Sequence, residues 1–207
     1  VIRRTVSFAT AVFAGEAARQ SSLQLKADLD SGLTLADLEG KEYIGEFDFK
    51  TDPIGSPKEN PVSHIAYGYA SQLYILDKEG KVVKIIAAHD VGRLINPLSA
   101  IGQIEGGAAM ALGYGLTEDF PLKDGVPQAK LGTLGIFKST QMPPVEVHFI
   151  EKNPSEVAYG AKGLGEIVCV MGAPALQNAY YKKDGVFRYK LPLENTFYRK
   201  PKAVKNS

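Results

Sequence analysis

The pattern of apolar and polar residues divides the first part of the chain into a helix and an extended segment. Apolar positions recur at helical spacing over residues 6–29, which hold no proline and one glycine, and the Asp-Ser-Gly turn signal at 30–32 ends this predicted helix. Residues 43–50 alternate between apolar and polar and predict a strand. The proline- and glycine-rich residues 51–62 predict a loop.

A hairpin and a glycine-rich helix are predicted next. Residues 64–76 and 81–89 are rich in tyrosine, isoleucine, leucine and valine and predict two strands joined by the turn Asp-Lys-Glu-Gly at 77–80. Pro97 suits the start of a helix over residues 98–115, which contain five glycines. Because glycine weakens an exposed helix, these glycines predict that the backbone closely approaches another helix or a bound ligand.

The last third of the chain predicts two strands around one helix. Residues 145–150 and 186–191 are apolar enough to predict strands, and residues 167–183 predict a helix that ends at Asp184-Gly185. Residues 117–135 and 154–165 predict loops. Strand pairs alternating with long helices predict an α+β fold, with mixed sheets and long packed helices.

Composition and charge narrow the function classes. Of 207 residues, 44% are hydrophobic and 23% charged, which is typical of a globular domain, and a net charge of +1 gives no electrostatic reason for binding nucleic acid. No apolar stretch reaches the length of a membrane span. The single cysteine, Cys169, allows neither an internal disulfide nor an iron–sulfur cluster, so we expect a reducing, cytoplasmic location. The first residue is valine, so we expect either a processed N-terminus or a piece of a longer polypeptide.

Two glycine-rich segments, residues 90–107 and 159–166, are candidates for chemistry. Neither has the spacing of a P-loop or a dinucleotide-binding turn. Glu166 follows Gly165 and precedes a predicted helix, where partial burial would raise the pKa of its carboxyl and the helix dipole would lower it. A carboxylate balanced in this way suits general base catalysis, but local features favour the simpler interpretation that Glu166 caps the helix.

Other polar residues have structural and functional interpretations. The amide of Gln103 either bonds a neighbouring backbone or presents a donor and an acceptor to a ligand. His89 follows a strand without a second ligand at metal spacing, so a structural role is favoured, and Cys169 is expected to pack as a small apolar residue. Arg3 and Arg4 either pair with a phosphate or are solvated.

Three segments together resemble a known family. Asp-Val-Gly-Arg-Leu-Ile-Asn-Pro-Leu at 90–98, Ile-Gly-Gln-Ile-Glu-Gly-Gly at 101–107 and Gly-Ala-Lys-Gly-Leu-Gly-Glu at 160–166 resemble, in order and spacing, the molybdopterin-binding large subunit of the xanthine dehydrogenase family of molybdenum hydroxylases. The resemblance covers residues 1–199 and is closest to the selenium-dependent branch, including residues 116–125 and 191–195.

The resemblance implies roles for individual residues. Glu166 would be the catalytic base, which accepts a proton from a water-derived hydroxyl, and Gln103 would hydrogen-bond the pterin. Molybdenum would be held by the pterin, in its cytosine dinucleotide form, without protein metal ligands. The remaining cofactor-binding residues would act through backbone near the pterin, at Gly163, Leu164 and Gly165, or near the cofactor's phosphates, at Arg3, Arg4 and Thr5.

The resemblance also implies that the chain works in a larger complex. Residues 1–207 would form a C-terminal molybdopterin-binding subdomain that lacks the upstream half of the site, which a partner chain or a missing segment would supply. FAD and [2Fe-2S] clusters would lie on partner subunits of a hetero-oligomer. The implied reaction, in purine metabolism, hydroxylates an electron-poor carbon of a xanthine-like or hypoxanthine-like purine. The alternatives are a nicotinate or aldehyde dehydrogenase and a non-catalytic scaffold fragment.

Overall fold

A computed structural model describes residues 10–65 and 67–199. The contacts divide the chain into two compact units. The first unit is Val1–Gly68, Asp90–Ile95 and Ile150–Gly165, and the second is Tyr69–His89, Asn96–Phe149 and Glu166–Ser207. None of the helices within the described residues is long and apolar enough to span a membrane.

Helix α1, Thr10–Asp30, is the main element of the first unit. It confirms the predicted helix over the residues that the structure describes, and residues 6–9 lie outside them. The chain turns at Gly32, whose φ of 100° is a left-handed conformation that glycine adopts readily. The predicted turn at 30–32 is therefore confirmed.

The predicted strand at 43–50 is wrong, although the segment is extended. Its residues alternate between half-buried and exposed, because one side lies on α1 and not because it pairs in a sheet. A Cβ added at Gly45 would lie 1.9 Å from the backbone oxygen of Ala17, and the rings of Phe47 and Phe13 are 5.6 Å apart. A helix surface can thus produce the alternation that is typical of a strand.

A hairpin forms most of the sheet in the second unit. Strands β1, Ala70–Leu76, and β2, Val82–Asp90, pair antiparallel, and the amide of Asp77 donates to the carbonyl of Lys81 in the predicted turn. The first predicted strand was expected from residue 64, but the ladder ends at the pair Ala70–His89. Residues before Ala70 have no strand to pair with because β2 ends at Asp90.

Strand β5, Val145–Ile150, completes the sheet in the order β1-β2-β5 and confirms the predicted strand. The amide of Ile85 donates to the carbonyl of Pro144, and that of Val91 donates to the carbonyl of Ile150. From the first bond to the second, the residue numbers rise by six on both strands, so β5 runs parallel to β2. The connection between them contains helix α2, Pro97–Leu116, the short hairpin of β3, Leu122–Lys123, and β4, Val126–Pro127, and two 3-10 turns at Leu131–Thr133 and Ser139–Gln141.

The last predicted helix is interrupted. Helix α3, Ile167–Val170, is a single turn, and α4, Gly172–Asp184, continues after Met171 until Gly185, whose φ of 72° ends the helix as predicted. The predicted strand at 186–191 is wrong. The Arg188 guanidinium bonds the backbone oxygens of Glu194 and Asn195, so the chain folds back through a side chain and not through strand pairing.

Small residues bring α2 against α3 and α4. Added Cβ atoms at the glycines of this contact would lie between 2.0 and 2.7 Å from the facing side chains, so the backbones meet closely. From one contact to the next, the residue numbers rise by four both on α2 and on α3 and α4, so the helices run parallel. The contacts are Gly107 with Val168, Ala111 with Gly172, and Gly115 with Leu176.

Candidate active site

Glu166 stands at the start of α3 with an exposed side chain. Its carboxylate makes no capping hydrogen bond, and it has no hydrogen bond or ion pair with any residue that the structure describes. Glu166 therefore does not cap helix α3 through its side chain. The expected partial burial is also absent, because Val168 takes the buried position of this turn and packs on α2.

The backbone around Glu166 is fixed although its side chain is exposed. The Glu166 carbonyl accepts hydrogen bonds from the amide of Cys169 and from its thiol, both at 3.1 Å. Cys169 is partly buried and engaged in the turn, which agrees with a packing role. The carboxylate of Glu166 thus projects from an ordered turn with its oxygen lone pairs available.

Gln103 lies near the N-terminal end of α2 and is exposed. The helix begins at Pro97, as predicted, and the side chain of Asn96 accepts a hydrogen bond from the Ser99 amide at 3.0 Å. Gly102 and Gly106 flank Gln103, and a Cβ added at either would meet no atom within 4 Å. The surface of α2 around Gly102 and Gly106 is therefore open, in contrast to the stripe of Gly107, Ala111 and Gly115 that packs on α3 and α4.

The parallel packing of α2 on α3 relates Gln103 to Glu166. Gln103 precedes Gly107 by one helical turn, and Glu166 precedes Val168 by two residues. Since Gly107 and Val168 are in contact, both polar side chains lie toward the same end of the helix pair. The two residues that the sequence singled out are thus presented at one end of the second unit.

Gly163, Leu164 and Gly165 are half-buried and belong to the first unit. The segment before them is anchored by backbone bonds, since Lys162 donates to the Val91 carbonyl and Arg93 donates to the Gly160 carbonyl, each at 3.0 Å. The glycine segment therefore begins from a fixed position.

A buried ion pair reinforces this anchor. The ammonium of Lys162 lies 2.6 Å from the carboxylate of Asp90, and their side chains are only 7% and 4% exposed. Burial acts to raise the pKa of Asp90, but hydrogen bonds from Lys162, the Gly92 amide and Asn153 outweigh it and leave the pKa below its usual value. Asp90 is therefore held as a carboxylate.

A second charged group supports a strained turn in the same unit. Ala158 and Tyr159 have φ values of 49° and 56°, which non-glycine residues seldom adopt. The buried carboxylate of Glu16 accepts a hydrogen bond from the Ala158 amide at 2.8 Å. Hydrogen bonds from Arg19, helped by that amide, overcome burial and hold the pKa of Glu16 at about 2.

Sequence reasoning missed these supporting residues. Asp90 and Lys162 are 72 positions apart, and Glu16 and Ala158 are 142 apart, so no local pattern connects them. The available signal was the presence of a charged residue inside an apolar or glycine-rich stretch, at Asp90 after a buried strand and at Lys162 between two glycines.

His89 is fully buried at the end of β2, and neither ring nitrogen has a hydrogen-bond partner in the described part of the chain. Burial lowers the pKa of its imidazole. No group of three or more His, Cys, Asp or Glu side chains among residues 10–65 and 67–199 is arranged to hold a metal ion. Arg3, Arg4 and Thr5 lie outside the described residues.

The residues present fit an organic cofactor with many heteroatoms. Gln103 is an exposed residue between two glycines at which an added Cβ would meet no atom within 4 Å, and Glu166 presents an unpaired carboxylate at the same end of the helix pair. An amide matches ring nitrogens and carbonyls, and bare helix backbone permits close approach of a flat group. A carboxylate can accept a proton there.

Comparison with known proteins identifies the family of the chain. Residues 34–143 match the model of the molybdopterin cofactor-binding domain, a range that includes Gln103 and ends before Glu166. The chain is 36% identical over 113 residues to the putative xanthine dehydrogenase molybdenum-binding subunit of Escherichia coli (strain K12), covering 53% of the chain and 15% of that protein. It is 32% identical over 155 residues to a probable xanthine dehydrogenase subunit of Bacillus subtilis (strain 168), covering 71% of the chain and 20% of that protein.

A solved structure supports the same assignment. The aldehyde oxidoreductase from Desulfovibrio gigas superposes with a TM-score of 0.68 at 26% identity, over 88% of this chain and 22% of that one. The chain therefore spans about a fifth or less of the length of these relatives. The predicted α+β fold is confirmed by this likeness and by the mixture of helices and sheets. Because the family model matches more than half of its residues, the chain belongs to the molybdopterin cofactor-binding domain family of xanthine dehydrogenases and aldehyde oxidoreductases.

Proposed function

We propose that this chain is part of the catalytic subunit of a molybdenum hydroxylase, with Glu166 as the base. The observation that carries the proposal is the exposed, unpaired carboxylate of Glu166 at the same end of the helix pair as Gln103. A carboxylate with no partner in the described residues has no evident structural use, and an ordered turn holds it in a defined place. Both properties suit proton transfer.

The chain's own residues divide the work between proton transfer and cofactor binding. Glu166 accepts the proton of a water-derived hydroxyl and so raises the nucleophilicity of its oxygen. Gln103 hydrogen-bonds the pterin, and Gly163, Leu164 and Gly165 approach it through backbone, while Arg3, Arg4 and Thr5 bind the phosphate end. When bound, the molybdenum cofactor supplies a Lewis acid and accepts the two electrons removed from the substrate.

The proposed substrate is a purine of the xanthine or hypoxanthine type, hydroxylated at an electron-poor carbon. Two relatives named as parts of xanthine dehydrogenases support a purine. The structural likeness to an aldehyde oxidoreductase supports the alternative of an aldehyde, and a relative named nicotine 6-hydroxylase large subunit, 33% identical over 101 residues, supports a nicotinate-like ring. Turnover of the purified complex on xanthine, nicotinate and benzaldehyde separates the three.

The proposed enzyme is a cytoplasmic hetero-oligomer. The chain, as a C-terminal subdomain over residues 1–207, joins the upstream half of the molybdenum subunit, and separate subunits hold FAD and [2Fe-2S] clusters. The resemblance implies a cofactor in the cytosine dinucleotide form, with a terminal sulfur or selenium ligand on molybdenum. The single cysteine supports both the reducing location and the need for clusters elsewhere.

The decisive experiment replaces Glu166 with glutamine in the assembled enzyme. Glu166→Gln keeps the shape of the side chain but cannot accept the proton, so we expect kcat to fall by about 10²–10⁴-fold. Molybdenum and pterin content should stay unchanged. The matched control is Glu79→Gln, an exposed glutamate in the turn between β1 and β2, which should keep normal turnover.

Two results would contradict the proposal. Near-normal turnover of Glu166→Gln would show that another group is the base. Absence of molybdenum and pterin from the complex that holds the wild-type chain would favour the alternative of a non-catalytic scaffold fragment.

A further inference from the structure

Two side-chain hydrogen bonds join β1 to the turn that carries Glu166. The side-chain amide of Gln72 donates to the backbone carbonyl of Val168 at 2.8 Å, and the hydroxyl of Tyr74 donates to the side-chain oxygen of Gln72 at 2.9 Å. Gln72 and Tyr74 are two positions apart on β1, so their side chains lie on the same face of the strand. Both residues are buried, and the two bonds use the nitrogen and the oxygen of the Gln72 amide.

The carbonyl of Val168 needs a partner because α3 is short. The last four carbonyl groups of an α-helix find no donor within that helix, and α3, Ile167–Val170, has only four residues. A single turn of this kind is not stable by itself. Val168 is held twice, by its side chain against Gly107 of α2 and by its carbonyl, which accepts the bond from Gln72. Both contacts lie two residues after Glu166.

Tyr74 keeps the Gln72 amide in one orientation. The Tyr74 ring belongs to the hydrophobic core that also contains Leu176, and its hydroxyl lies where α4 begins, since a Cβ added at Gly172 would be 2.9 Å from that oxygen. Burial raises the pKa of Tyr74, so the hydroxyl stays protonated and donates. Because this donor takes the oxygen of the Gln72 amide, the nitrogen is directed at Val168.

The use of two polar side chains here is not explained by stability alone. Hydrogen-bonded polar groups in a core add little net stability, and apolar groups of the same shape can replace them at little cost. A hydrogen bond adds direction, because it restricts the distance and the angle between two groups, whereas hydrophobic contact is non-directional. The bond from Gln72 therefore restricts where the backbone of α3 can lie.

We infer that Gln72, oriented by Tyr74, is a positioning residue that fixes the turn from which Glu166 projects. This role rests on the proposed function of Glu166 as the base. Proton transfer requires the carboxylate within hydrogen-bond reach of the hydroxyl from which it accepts the proton. A displacement of about 1 Å can lower a rate by about a hundredfold, so a loosened turn reduces turnover although Glu166 itself is unchanged.

Turnover of the purified enzyme with Gln72→Leu tests this role. Leucine fills the space but donates no bond to Val168, so we expect kcat per bound molybdenum to fall by about 10–10²-fold with KM nearly unchanged. Division by the molybdenum content removes any loss of folded or loaded enzyme. The matched control is Gln177→Leu on α4, where the side-chain amide is buried without a hydrogen-bond partner in the described residues. This control should keep the kcat of the wild type.

Tyr74→Phe is a milder change that keeps the core filled. It removes the bond that orients the Gln72 amide, and kcat per bound molybdenum should fall by about threefold to tenfold. Tyr180→Phe is the matched control, since Tyr180 is also buried and its hydroxyl donates to the carbonyl of Gly80, in the turn between β1 and β2. An equal decrease in kcat in Tyr180→Phe would contradict the inference, because the loss of any buried phenol would then suffice.

A double variant shows whether the effect passes through Glu166. In the Glu166→Gln background, Gln72→Leu should lower the remaining kcat by less than about twofold, because the group that Gln72 positions has already been replaced. The same decrease in both backgrounds would mean that Gln72 acts through another group and would overturn the inference. Normal kcat in Gln72→Leu beside a low kcat in Glu166→Gln would overturn the inference and leave the proposed function intact. Normal kcat in Glu166→Gln would overturn both.

Alkylation of Cys169 reports on the same turn without any turnover. The Cys169 thiol donates to the Glu166 carbonyl at 3.1 Å, so a loosened turn should make the thiol more accessible. We expect iodoacetamide to modify Cys169 at least about threefold faster in Gln72→Leu than in Gln177→Leu, measured by mass spectrometry of the peptide that contains Cys169. Equal rates in the two variants would show that Gln72 does not order the turn and would overturn the inference.

Discussion

Two regions of the molecule, one in each unit, hold candidate site residues in place, and they do so by different interactions. In the first unit, the loops before Gly163 are joined by a buried ion pair, Asp90 with Lys162, and by backbone hydrogen bonds. In the second unit, α2 meets α3 through small residues, with Gly107 against Val168. A buried ion pair stabilises the first region, and close packing of small residues stabilises the second.

The difference teaches which changes each region tolerates. A buried ion pair is sensitive to the loss of one partner, because the other charge is then left buried without compensation. A close helix contact is indifferent to charge but sensitive to added volume, since protein interiors contain few voids. Substitutions that remove a charge or add volume should therefore affect the stability of the two regions differently. The largest loss of stability is expected in the first region.

Removal of Lys162 is the strongest test of the charged region. Lys162→Met leaves Asp90 buried and unpaired, so we expect the free energy of unfolding to fall by about 3–5 kcal/mol. Urea denaturation followed by circular dichroism measures the loss. The control is Lys26→Met, which breaks an ion pair whose side chains are 66% and 62% exposed and should cost less than about 1 kcal/mol. Equal losses in the two variants would show that burial of the Asp90–Lys162 pair is unimportant.

Added volume in the helix contact should have the next largest effect. A Cβ at Gly107 would lie 2.0 Å from a methyl carbon of Val168, so Gly107→Ala must displace α3. We expect a loss of about 1–3 kcal/mol in the free energy of unfolding. Thermal melting of Gly107→Ala and of Gly107→Ala with Val168→Ala measures it, and partial recovery in the double variant would confirm that the clash is with Val168.

Acid should weaken the two units in different pH windows, through His89 in the second unit and Glu16 in the first. The lowered pKa of His89 means that the unfolded state takes up its proton first, so this part of the stability is lost as the pH falls below about 6.5. The pKa of Glu16, held at about 2 against a usual value of 4.5, adds stability that is lost only as the pH falls from about 4.5 toward 2. Urea midpoints at a series of pH values should show both declines.

Two variants assign these declines. His89→Leu should remove the pH dependence that begins near 6.5, and Glu16→Gln should remove the part below about 4.5. An unchanged pH profile in His89→Leu would mean that another group causes the first decline.

The smallest effect should have the opposite sign. Gly106 is on the open side of α2, next to Gly107 in sequence, and a Cβ there would meet nothing within 4 Å. Since alanine favours a helix more than glycine does, Gly106→Ala should stabilise the isolated chain by up to about 1 kcal/mol. A higher melting temperature in Gly106→Ala beside a lower one in Gly107→Ala would establish the two sides of the helix.

The sequence predicted correctly those helix ends and turns that are determined by a few neighbouring residues. Pro97 at the start of α2, the Asp77–Gly80 turn and Gly185 at the end of α4 were all predicted, because capping and turn residues act within a few positions. The predicted strand at 43–50 failed because a strand pattern indicates one covered side and does not indicate what covers it. At 186–191 a side chain, Arg188, replaces strand pairing.

The candidate site was predictable only in part for the same reason. Gln103 and Glu166 belong to motifs that are contiguous in sequence, and the fold presents both at one end of a helix pair. The ion pair of Asp90 with Lys162 joins two loops 72 positions apart, and such a contact depends on the whole fold. Motifs therefore reveal candidate site residues more readily than the residues that hold them in place.

The outer edge of β1, which pairs with no strand of the described residues, should also affect how the chain behaves in solution. Seven residues without a charge or a proline, with outward-facing backbone groups, form a template on which further chains can add as strands. Dilute solutions of the chain should therefore stay clear, and concentrated ones should scatter light.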